Sequence, residues 1–163
     1  MNDLRLMKLL YLAERESIFE LGASFTGARL RSLPNGPVLS EFLGLMKGEM
    51  SASIWSDNFI FVPRSGADSN HVVLKGNIDP SNYLSEAEME ILESIWAKHK
   101  EKDKWALVDL THEFPEWDKS VSIKNASVRS KAISIKDILI RGYNMQPEDA
   151  ASLANSIEYY QSI

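Results

Sequence analysis

The chain has 163 residues, 44% apolar and 25% charged, a length and balance that suit one globular domain with a core of its own. It contains no cysteine, which removes disulfides, thiolate metal sites and a cysteine nucleophile together and fits a cytoplasmic location. A net charge of −5 argues against dominant phosphate-backbone binding, so nucleic acid is not the expected partner.

Residues 3–21 predict a first helix, with Leu4, Met7, Leu10, Tyr11, Ile18 and Leu21 at helical spacing, Asp3 as its cap and Gly22 as its stop. Arg5, Lys8, Glu14 and Arg15 interrupt this apolar run, so it is read neither as a signal peptide nor as a membrane anchor. Residues 25–33 are short and β-like, broken at Gly27. Pro34-Asn35-Gly36-Pro37 is a strong turn signal, and Pro37 suits the first position of a helix expected over 38–47, closed by Gly48. The period then changes: 58–62 and 71–74 predict two strands of a hairpin, joined through Pro63, Gly66, Asp68 and Asn70.

Ser85-Glu86-Ala87-Glu88 is a capping-box pattern that predicts a helix to about Lys100, with Met89, Leu92, Ile95, Trp96 and His99 inward. Residues 104–114 predict another helix, with Trp105, Val108, Leu110 and Thr111 inward and Pro115 as its limit. The stretch 119–136 carries Lys119, Lys124, Arg129, Lys131 and Lys136 with no acidic residue between them, and reads as a solvated loop with a short strand. If it has a partner, an acidic protein is favoured over nucleic acid, because no aromatics are interleaved to stack on bases. Two helices, about 135–143 and from Pro147 onward, close the chain. The expected fold is therefore mainly α with a small β element (α+β), a compact helical domain with a β-hairpin insertion.

Catalytic constellations are incomplete. His112-Glu113 has a carboxylate beside an imidazole, but a zinc-protease helix needs a second histidine four residues on, and that position holds Glu116 behind the helix-breaking Pro115. A metal-assisted hydrolase built on His112 and Glu113 is thus a poor fit, and no catalytic residue, metal or cofactor is expected. His112 is expected to bond free carbonyls at its helix end. Neither a nucleophile elbow, a Walker loop nor a dinucleotide fingerprint occurs. Of the four indoles, Trp96 and Trp105 are expected in the core, and Trp55 and Trp117 are also read as core, with an exposed contact as the alternative for each.

Three segments, in this order, resemble one family. Leu6-Met7-Lys8-Leu9-Leu10-Tyr11 is similar to its opening helix, Leu33-Pro34-Asn35-Gly36-Pro37-Val38 to its turn, and Leu110-Thr111-His112 followed by Trp117 to its closing signature. The family is the SocA-like antitoxin group, or Panacea domain, often described as phage-associated. The resemblance implies a domain over residues 1–118, with 119–163 as a basic connecting segment plus C-terminal helices packed on it. It implies a protein-binding antitoxin that neutralises a cognate toxin, with an adaptor presenting the toxin to a protease as the alternative. Lys8, Tyr11 and His112 are then motif residues of structural character. Asn35 stands where the family commonly has an aromatic residue or histidine. Because the chain opens almost at the first motif, no DNA-binding domain is expected ahead of it. Candidate toxin contacts are Asn35, Gly36, Pro37 and Trp117 with Lys124, Arg129 and Lys131 of the basic stretch.

Overall fold

The computed structural model describes residues 1–50, 57–62, 70–123 and 128–162. Trp55, Lys124 and the 63–69 part of the hairpin connection, all singled out above, lie outside the described residues. Helix α1 (Asp3–Glu20) runs through the middle of the fold and is buried on two faces. On one face Met7, Tyr11 and Ile18 join Val38, Leu39, Ile138, Leu139, Ala150 and Ile157. On the other, Leu9, Leu12 and Ala13 meet Ile91, Ile95 and Leu107. Its cap is Asn2, whose side chain accepts from the Arg5 amide at 3.0 Å, and not Asp3.

Strands β1 (Leu30–Leu33) and β2 (Gly36–Leu39) form a tight antiparallel hairpin, so only the end of the 25–33 stretch is extended in a sheet. Pro37 is therefore in β2, opposite Ser32, and helix α2 (Ser40–Lys47) starts later than expected. Pairing with β1 wins over the helix-start preference of proline, which lacks an N–H and is tolerated because β2 is an edge strand. Gly48 ends α2 at φ 71°. Strands β3 (Phe59–Val62) and β4 (His71–Leu74) make the expected second hairpin. It is fastened to the start of α1 by the Asp3 amide on the Asn70 carbonyl at 2.9 Å.

Helix α3 (Glu86–His99) begins at the expected capping box, with both of its reciprocal bonds present, and packs on α1, as does α4 (Lys104–His112). Its inner stripe is Ile91 and Ile95; Trp96 lies about 100° round from Ile95 and is 45% exposed. In α4 the inner face is Leu107, Val108 and Thr111, which turns Trp105 outward at 53% exposure. Both indoles expected in the core are thus on the surface. Strand β5 (Lys131–Ala132) adds to β1, giving the sheet order β2-β1-β5. Helix α5 (Ile135–Asp137) continues as a π-turn over Ile138–Gly142, and α6 (Pro147–Gln161) follows. The molecule is mainly α with a small antiparallel β element.

Candidate protein-binding site

The turn between β1 and β2 is where the chain brings its distant motifs together. Pro34 and Asn35 form its two-residue loop, and Gly36 follows at φ 90°, a conformation that strains any residue with a Cβ. A Cβ at Gly36 would stand 2.7 Å from Lys8 Nζ, 2.8 Å from Thr111 Oγ1 and 3.2 Å from His112 Cδ2. Glycine at this position thus lets α1 and α4 close on the turn from two sides.

The turn's carbonyls would be unpaired in a buried setting if side chains did not reach them. Lys8 Nζ donates to the Pro37 carbonyl at 2.8 Å, and Trp117 Nε1 donates to that of Leu33 at 3.0 Å. The hydroxyl of Ser122 donates to the Pro34 carbonyl at 3.1 Å, and the His112 imidazole lies against the turn beside Gly36. Among the described residues no hydrogen bond joins His112 to the free carbonyls of its own helix, and its ring lies against the turn. Its ring stacks on Trp117, with centroids 3.8 Å apart and planes 10° from parallel. The Asp118 amide completes the clasp on Ser32 Oγ at 3.0 Å.

Lys8 is fully buried, and burial lowers its pKa from 10.5 to about 7. His112 is also held below its usual value, by burial and then by the charge of Lys8, against the opposing effects of Asp109 and the Pro34 carbonyl. Two cationic forms side by side are disfavoured, so the clasp is a polar anchor that is only partly charged near neutrality.

A second buried cluster lies further along the same face of α1. Glu116, 3% exposed, accepts on Oε1 from Arg15 Nε at 2.6 Å and from the Tyr11 hydroxyl at 3.2 Å. The Arg15 guanidinium lies between the rings of Phe114 and Tyr143, 4.3 Å from each centroid. Tyr143 in turn stacks on Phe19 at 3.9 Å and donates to Glu16 Oε2 at 3.0 Å. Gly142 is required beside this cluster, because a Cβ there would collide with the Arg15 guanidinium. Sequence reading missed Arg15 and Glu116. The available signal was Lys8, Tyr11 and Arg15 recurring at i, i+3 and i+7, a polar stripe on a helix buried on both faces.

The proposed contact residues fall into distinct settings. Gly36 and Pro37 are buried and hold the turn from within, so they present no surface to a partner. Lys131 is engaged by Asp118 Oδ2 at 2.6 Å and Ser120 Oγ at 2.9 Å, so it meets an acidic residue just before the basic stretch. Asn35, at the exposed tip, and Arg129 line the same cleft of about 880 Å³. Its floor includes Met7, Leu33, Val38 and Met46. Trp117 borders a separate hollow of about 440 Å³ with Lys119 and Arg141. Glu113 is exposed at the C-cap of α4, and no three His, Cys, Asp or Glu residues converge on a metal-sized site among the described residues. Among these residues no helix is long and apolar enough to cross a membrane.

Fold and site together define a mainly helical domain whose β1–β2 hairpin is clasped by a lysine from α1 and by a histidine and a tryptophan close together at the end of α4. The chain belongs to the antitoxin SocA-like family, Panacea domain, whose model matches residues 6–118. That span contains the clasped turn and ends one residue beyond Trp117. No curated protein and no solved structure matches the chain.

Proposed function

We propose that this protein is a non-catalytic antitoxin that neutralises a cognate toxin protein by direct binding, using the cleft where Asn35 and Arg129 meet. Family membership supports the antitoxin role. The observation that carries the choice of surface is the clasp itself. Lys8, His112 and Trp117 fix the turn from below and leave Asn35 at its tip, over an apolar floor. A rigid backbone with one exposed polar tip loses little freedom on binding. A stable complex needs on the order of 1,600 Å² of total buried surface, so the toxin would extend beyond the cleft. Trp117 and its hollow are the nearest continuation. Gly36, Pro37 and Lys131 then act as support, and Arg129, which forms no ion pair among the described residues, meets the toxin from the cleft wall.

The test is co-expression with the product of the neighbouring gene. Wild type should rescue growth and co-purify with an intact toxin. Asn35→Trp together with Arg129→Glu should abolish both while leaving the circular dichroism spectrum unchanged. Rescue accompanied by loss of the toxin polypeptide would replace occlusion by delivery to a protease, and rescue by the double variant would remove the cleft from the reading.

A further inference from the structure

The corner between α3 and α4 has a composition that the clasped turn does not use. Trp96 closes α3 and Trp105 opens α4, and both are about half exposed, at 45% and 53%. Between them run Lys98, Lys100, Lys102 and Lys104, in a chain whose net charge is −5. Arg5 of α1 reaches the same place: its guanidinium lies over the Trp96 ring, 5.3 Å from the centroid, and donates to the Lys100 carbonyl. Lys104 Nζ lies 5.6 Å from the Trp105 centroid.

The carboxylates nearby offset little of this charge. Asp103 is spent on capping α4, accepting from the amides of Trp105 and Ala106 at 2.9 and 2.8 Å. Glu16 reaches Lys98 at 3.6 Å, a partly exposed pair of small worth. Among the described residues neither Lys100 nor Lys102 forms an ion pair, and Glu101 points into solvent. Two half-exposed indoles with Lys100 and Lys102 between them combine the residue type most enriched at binding hot spots with a polar rim in which cations outnumber carboxylates.

We propose that this corner is a docking surface for an acidic segment of a protein partner that also carries apolar side chains. Trp96 and Trp105 receive the apolar groups, and Lys100 and Lys102 receive the carboxylates. A nucleic acid fits less well. Glu101 and Asp103 interleave with the lysines, so a continuous phosphate chain would meet a carboxylate between successive cations. A peptide can leave a gap opposite Glu101. The corner is also separate from the clasped turn, since Trp105 and His112 sit at opposite ends of α4, about 10 Å apart along its axis. The inference does not rest on toxin binding.

The full chain, labelled with nitrogen-15, would be titrated with a twelve-residue peptide of glutamate and leucine. The same peptide with lysine for glutamate, and oligothymidylate, serve as comparisons. The acidic peptide should move the indole N–H signals of Trp96 and Trp105 and leave that of Trp117, bonded to the Leu33 carbonyl, in place. Binding should weaken with salt. Trp96→Ala with Trp105→Ala should reduce affinity roughly tenfold or more. Lys100→Glu with Lys102→Glu, which touches no apolar contact, should slow association. Static indole signals, equal binding by the lysine peptide, or tighter binding by oligothymidylate would each overturn the proposal. So would a concentration-dependent shift of both indoles without peptide, which would assign the corner to self-association.

Discussion

Lys8 and Arg15 lie two turns apart on α1, both withdrawn from solvent, yet Lys8 is answered by the Pro37 carbonyl and Arg15 by the carboxylate of Glu116. The consequences run in opposite directions. Burial alone acts on Lys8 and brings its pKa down to about 7. Burial also pulls Arg15 down, but the hydrogen bond and charge of Glu116 outweigh it and leave the guanidinium above its usual value. A buried cation with a carboxylate is a fixed charge, whereas one with a single carbonyl becomes titratable. Along one helix the chain therefore carries a permanent ion pair, which ties α1 to Tyr143 in the C-terminal segment, and a polar anchor of adjustable charge under the turn.

The largest effect should come from breaking the ion pair. Glu116→Leu leaves Arg15 without its carboxylate between two aromatic rings, and loss of one partner of a buried pair costs about 3–5 kcal/mol. Urea unfolding should show an unfolding free energy lowered by that amount. Adding Arg15→Met should recover a large part of the loss, since the uncompensated charge is then gone. A double variant as unstable as the sum of the single ones would mean that the two residues act independently.

Gly36→Ala should rank next. The new methyl group meets Lys8 Nζ and Thr111 Oγ1 inside normal contact distance, at a φ of 90° that an alanine holds only under strain. Such a conformation costs about 1–3 kcal/mol before the contacts are counted. Displacement of the turn should also alter the near-ultraviolet signal of the His112–Trp117 stack. A stable variant with an unchanged aromatic signal would show that the turn is not clasped as tightly as the distances state.

These two predictions mark what was readable in the chain and what was not. Helix α1, the β3–β4 hairpin and the capping box of α3 rest on short-range rules: periodicity, turn residues and a serine three places before a glutamate. Pro37 was misplaced because its strand is selected by pairing with Ser32 across the turn, an interaction that local propensity does not contain. Trp96 and Trp105 were misplaced because the inward faces were drawn through them, whereas the helical phase set by Ile91, Ile95, Leu107 and Val108 turns them outward. The family motif was legible as letters, but its reason was not. Lys8, Gly36, His112 and Trp117 are joined by contacts that span 29 to 84 residues of sequence. Glu116 is further from view still, 105 positions from Tyr11, and next to Pro115 it reads as an ordinary surface carboxylate.

The smallest effect at neutral pH, and the one most specific to the comparison, concerns Lys8→Met. The thioether keeps most of the volume and gives up both the charge and the bond to the Pro37 carbonyl, losses that oppose each other near pH 7. The pH dependence separates them. From about 7 up to the ordinary lysine value of 10.5, the unfolded chain holds a proton that folded Lys8 has released. Stability of the wild type therefore rises with pH in that window, by up to about 1.4 kcal/mol per pH unit, and carries its full penalty below about 7. Tyr11 and Tyr143, both held above the usual phenol value by burial, act in the opposite sense above pH 10, which leaves 7–10 as the clean interval. Lys8→Met should flatten the profile there and gain on the wild type as pH falls. Arg15→Met with Glu116→Leu should leave the slope in place. Parallel profiles for Lys8→Met and wild type would mean that Lys8 keeps its proton in the folded chain, and that the carbonyl of Pro37 suffices to hold a buried charge.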